Sequence, residues 1–165
     1  MAEIRAQRYS LAVLCCNVCF LSKLSDNCPD GWKEFEGFCY KFYLDRKRSF
    51  TEAVATCRQI KAELLVVNSM EENRFIEEQI ASDDYVWLGM IRHSGLDASW
   101  ELLNGEEPTF NLMDDYRHRY SSYGSPYGSP GEEYCALLIR KHGWHDVECE
   151  TRMEGVAVCK RPFSE

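Results

Sequence analysis

Cys28, Cys39, Cys57, Cys135, Cys149 and Cys159 constrain this chain more than any other feature, because an even set of cysteines spread over one domain reads as a disulfide framework. Three further cysteines, Cys15, Cys16 and Cys19, lie inside an apolar run from Leu11 to Leu21 that Arg5 and Arg8 precede. A positive segment followed by a short apolar one is the pattern of a secretory signal peptide. The run falls short of the ~20 apolar residues that a membrane-crossing helix needs, and Asn17 interrupts it. Residues 1–25 are therefore read as a signal peptide cleaved between Cys19 and Ser25, with an uncleaved anchor or an ordinary buried helix as the alternative. Its removal turns the nine cysteines of the chain into six. The expectation is a secreted, extracellular protein with no stable membrane span and one domain over residues 26–165.

Of the 165 residues, 13% are aromatic, a share that suits a packed, strand-rich domain. The net charge is −8, and without residues 1–25, which carry three basic side chains and one acidic, it becomes −10. Such a field repels phosphate backbones, so nucleic acid is not an expected partner. It is compatible with cation binding, which charge alone does not establish.

Local patterns give the element types. Trp32 to Tyr43 is aromatic on both sides of Glu36-Gly37, which reads as a hairpin that Cys28 and Cys39 flank. Ser49-Phe50-Thr51-Glu52 has the capping-box pattern of a helix start, and Ala53, Cys57 and Ile60 follow at helical spacing. Ser69-Met70-Glu71-Glu72 repeats the box before Phe75, Ile76 and Ile80. Leu64 to Val67 between the two helices reads as a buried strand. Short apolar runs at 85–91, 99–103, 134–139 and 156–159 then alternate with polar stretches. Two helices and a strand-rich second half predict an α+β domain. Asp114 to Gly131 has no apolar periodicity and carries Tyr-Gly-Ser-Pro in tandem at 123–126 and 127–130, so a long exposed loop is expected there. Its Tyr, Ser, Gly and Arg content resembles that of binding loops, with a flexible insertion that has no role as the alternative.

With the cysteines, these strings resemble the C-type lectin-like domain. Cys28-Pro29-Asp30-Gly31-Trp32 is similar to the opening of the long form of that domain, Trp87-Leu88-Gly89 to its central strand, Gly131-Glu132-Glu133-Tyr134-Cys135 to its approach to the inner disulfide, and Trp144-His145-Asp146 to its Trp-Asn-Asp string. The resemblance runs from Cys28 to Lys160. It implies an α+β fold of two helices with antiparallel sheets, a long loop region and three disulfides. Six cysteines alone allow 15 pairings; the resemblance implies Cys28–Cys39, Cys57–Cys159 and Cys135–Cys149. It also implies that Trp87 and Trp144 pack in the core.

Calcium-dependent members hold an ion through a Glu-Pro-Asn or Gln-Pro-Asp string, a Glu before the third core cysteine, and Asn-Asp after the tryptophan. Glu133 and Asp146 match two of these elements and form at most a vestigial calcium site. His145 replaces the amide, and imidazole is a poor calcium ligand. No Glu-Pro-Asn string stands within 114–131, and Arg92 occupies a position where the family places an acidic ligand. No cofactor is assured, with calcium the one that the resemblance brings into question. His142 and His145 beside Asp146 make only part of a zinc set. No nucleophile elbow, phosphate loop or zinc-protease string occurs, so an enzyme is not expected.

The sequence thus predicts a secreted recognition module that binds a carbohydrate or an extracellular protein through its long-loop face, without the usual calcium–sugar motif. Tyr116, Arg117, Tyr123 and Tyr127 would supply stacking and hydrogen bonds above a floor of Glu133, His145 and Asp146. Two other readings stand beside it: a calcium-dependent carbohydrate-binding lectin, and a structural component of extracellular matrix or mineral. The oligomeric state has no signature in the sequence.

Overall fold

The computed structural model describes residues 28–93, 99–113, 133–150 and 152–163, with the side chain of Glu133 outside that set. The signal-peptide assignment, and Tyr116, Arg117, Tyr123 and Tyr127, lie outside the described residues. Ten elements follow in the order β1 (Lys33–Phe35), β2 (Phe38–Arg48), α1 (Phe50–Gln59), β3 (Glu63–Leu64), α2 (Met70–Gln79), β4 (Tyr85–His93), β5 (Glu101–Leu102), β6 (Glu133–Ile139), β7 (Gly143–Glu148) and β8 (Gly155–Pro162).

The expected hairpin forms. Phe35 pairs with Phe38 around a two-residue loop in which Glu36 and Gly37 have φ of 45° and 83°. Two consecutive positive φ values make the tight turn whose twist matches its strands. The first capping box is complete: the Ser49 side chain accepts from Glu52 N, and the Glu52 carboxylate accepts from Ser49 N at 3.0 Å. The second is only half formed. Ser69 Oγ accepts from Glu72 N at 3.0 Å, but the Glu72 carboxylate turns inward and is buried. The strand expected over 64–67 shortens to Glu63–Leu64, although Leu65 N still donates to the Val158 carbonyl at 2.9 Å.

The strands connect in the order β1-β2-β8-β4-β6-β7, with β3 beside β8 and β5 beside β4. All pairings are antiparallel except that of β4 with β8, where Val86 lies opposite Val156. Side chains alternate strictly across this sheet. Val86, Leu88 and Met90, then Tyr134, Ala136 and Leu138, then Val156 and Val158 enter one core cluster. The intervening Trp87, Cys135, Leu137, Ala157 and Cys159 enter a second. Helix α1 adds Phe50, Ala53 and Cys57 to the second cluster, and Ile76 of α2 belongs to the first.

The disulfides pair Cys28 with Cys39, Cys57 with Cys159 and Cys135 with Cys149, as the resemblance implied. Trp87 is fully buried, and its Nε1 donates to the Arg48 carbonyl at 2.8 Å. Trp144 is equally enclosed and donates to Asn73 Oδ1 at 2.8 Å, tying β7 to α2. Gly89 completes the Trp-Leu-Gly string for a steric reason. A Cβ there would stand 2.7 Å from the Leu64 carbonyl oxygen.

Candidate functional site

Of the expected ligand face, the floor residues Glu133, His145 and Asp146 fall on β6 and β7, next to β4. Register decides which side chains converge there. Arg92 of β4 lies opposite Tyr134 of β6, and Asp146 of β7 lies opposite Ala136 of β6. Positions 134 and 136 share one face of β6, so Arg92 and Asp146 share it too, on the two outer strands. An irregularity in β4 between Leu88 and Ile91 shifts the pairing just before Arg92. The long arginine side chain reaches from β4 past Tyr134 of β6 to Asp146 of β7.

The crossing ends in an ion pair. Arg92 Nη2 donates to Asp146 Oδ2 at 2.9 Å. The arginine side chain is 11% exposed and that of Asp146 35%, so the pair closes the core at the surface. The guanidinium carbon is 5.0 Å from the centre of the Tyr134 ring and 5.5 Å from that of Trp100. Electron-rich ring faces attract a cation, more strongly where water is excluded.

Of the expected floor, then, Asp146 is engaged by an arginine. His145 lies opposite Leu137, on the other pleat of β7, and its Nε2 is 3.3 Å from the His142 carbonyl oxygen. The register therefore does not bring His145 and Asp146 together on one face. Glu133 begins β6 opposite His93. Trp100 is buried and backs Arg92, a role that its sequence context does not announce.

Calcium requires six to eight oxygen donors. Among the described residues no group of three His, Cys, Asp or Glu side chains could hold a metal. The single expected carboxylate whose side chain is described, Asp146, is already neutralised at hydrogen-bond distance. The described residues do not fit the ion. Nor is any described helix long and apolar enough to cross a membrane.

The fold is a disulfide-framed α+β domain of two helices and one mixed sheet. The chain belongs to the C-type lectin family: the model of the Lectin C-type domain matches residues 46–161. It is 31% identical to CD209 antigen-like protein A of Mus musculus over 141 residues, which is 86% of this chain and 55% of that protein. It is 31% identical over 143 residues to C-type lectin domain family 4 member M of Pan troglodytes, covering 85% of this chain and 29% of that protein. The chain thus spans about half or less of the length of these relatives. Among solved structures, the carbohydrate-recognition domain of the mouse scavenger receptor C-type lectin superposes with a TM-score of 0.66 at 28% identity, covering 82% of this chain and 98% of that domain.

Proposed function

We propose that this chain is a secreted recognition module that binds a carbohydrate through its long-loop face without calcium. The observation that carries the reading is the Arg92–Asp146 ion pair, because it commits the one described carboxylate of the expected calcium site to an internal partner. Similarity to a carbohydrate-recognition domain at 28% identity supports the ligand class. In this reading Tyr116, Arg117, Tyr123 and Tyr127 supply ring faces and hydrogen-bond donors, the chemistry that holds sugars in the absence of a metal. Asp146 and Glu133 act as acceptors rather than as metal ligands. The module carries no catalytic step.

The test is retention on immobilised glycans, with the protein oxidised and folded, in calcium and in chelator. Equal retention in both buffers, lost on deletion of residues 116–130, is the expected result. Retention that the chelator abolishes would instead establish calcium-dependent lectin activity. Retention of an extracellular protein but of no glycan would reassign the ligand. Adhesion to mineral that modest salt removes would trace binding to bulk charge.

A further inference from the structure

We infer that Arg92 is the resident cation of this domain, a guanidinium that neutralises Asp146 and orders the β4–β6–β7 end as a bound divalent ion would. The inference rests on the calcium-free reading above and gives it a mechanism.

Three observations carry it. The first is enclosure: the charge is almost fully withdrawn from water, and an isolated charge in that position would be strongly unfavourable. It is stable there because Asp146 and two aromatic faces surround it. The second is incomplete hydrogen bonding. Among the described residues the buried Arg92 Nε has no acceptor, and an unmet buried donor is destabilising. A side chain chosen for hydrogen-bond complementarity would not be left so, whereas one required for its charge can be. The third is topology. Arg92 reaches from β4 across β6 to β7 and couples three strands through one charged group. That is the bridging a metal ion performs, supplied here by a covalently attached cation that a chelator cannot remove. Arginine suits the position better than lysine, since its planar, weakly hydrated head stacks on rings and stays charged.

The inference is tested on the oxidised full chain with no ligand present. Calcium uptake is measured by equilibrium dialysis at millimolar calcium chloride, and thermal unfolding is followed in calcium and in chelator. Arg92→Gln, Asp146→Asn and the double variant are unfolded in chelator to complete a double-mutant cycle. The wild type is expected to take up no calcium and to unfold at one temperature in both buffers. Each single variant is expected to be destabilised, and the double variant less so than the sum, with a coupling of at least about threefold in the unfolding constant. Arg92→Lys should recover only part of the loss. Calcium uptake by the wild type that Asp146→Asn abolishes would overturn the inference, as would a cycle with no coupling. If the variants do not fold, the wild-type calcium measurement decides alone. Because no glycan enters, failure here and failure of glycan retention are separate results.

Discussion

Replacing Lys160 by methionine should unfold this domain more effectively than any surface change, because it strands a buried carboxylate. Glu72 is 4% exposed and Lys160 6%. The Lys160 ammonium donates to Glu72 Oε1 at 2.6 Å and to the Val66 carbonyl at 2.9 Å, and it stands 4.3 Å from the centre of the Phe38 ring. Tyr40 donates to the same Glu72 oxygen at 2.8 Å, and the Asn68 amide to the other oxygen at 2.9 Å. Methionine preserves the stem and its contact with Phe38 but removes the positive charge. Breaking one partner out of a buried ion pair costs about 3–5 kcal/mol, a large share of the ~5–15 kcal/mol that holds a domain together. Glu72→Gln keeps the shape, leaves the ammonium uncompensated, and should cost a comparable amount. The double variant should lose less than the sum, by roughly 1–3 kcal/mol, since neither charge remains alone. Urea unfolding of oxidised protein, with midpoint and slope both recorded, measures each term. A Lys160→Met loss below about 1 kcal/mol at unchanged slope, or a cycle without coupling, would refute the reasoning.

Further outcomes follow from the same packing. Gly89→Ala should cost about 1–3 kcal/mol by urea unfolding, because its new methyl meets the Leu64 carbonyl at 2.7 Å and backbone must shift. Replacing Cys57 and Cys159 together by alanine opens a loop with a sequence separation of 102, and should remove about 4–5 kcal/mol on the loop-entropy model. Stability should fall as pH rises above ~10, the ordinary tyrosine value. Burial, the Glu72 charge and the hydrogen bond to Glu72 raise the Tyr40 hydroxyl far above that value, so only the unfolded chain releases this proton there. Lys160, lowered chiefly by burial, acts in the opposite sense just below its ordinary value. Tyr40→Phe should flatten the alkaline fall relative to wild type, which pH-dependent urea midpoints would show.

The features legible from sequence were those that local chemistry decides. Glu36-Gly37 marks its turn because positive φ favours glycine. Ser49 and Glu52 mark a helix start because the box is written within four residues. Glu72 stands in the same pattern and carries the same local signal, yet it belongs to a buried network whose partners lie 32 and 88 positions away along the chain. Nothing local distinguishes those two glutamates. The strand β7 and the length of β2 were likewise not written locally, since both depend on partners supplied by distant chain. Arg92 could be seen in the sequence only as a departure from an acidic position. Its meaning required the register that sets it and Asp146 on one face of β6.

Both faces of the sheet carry polar ties, but bridges joining helix α1 and the strands close only the second. Cys57, Cys135 and Cys159 enter the second cluster, and Cys149 packs against it, so two covalent bridges close that face. On the first face the ties are polar: Tyr40–Glu72–Lys160, Asn73–Trp144, and Arg92–Asp146 between β4 and β7. Bridges fix strand register whatever stands opposite them. With register held from behind, a charge change at Arg92 need not unravel the sheet. A reductant should therefore loosen the α1 face first, whereas charge substitution at Arg92 should perturb the β4–β6–β7 edge while leaving the three bridges formed. On the first face the charged ties are the Glu72–Lys160 and Arg92–Asp146 pairs, each holding elements that no bridge of that face joins.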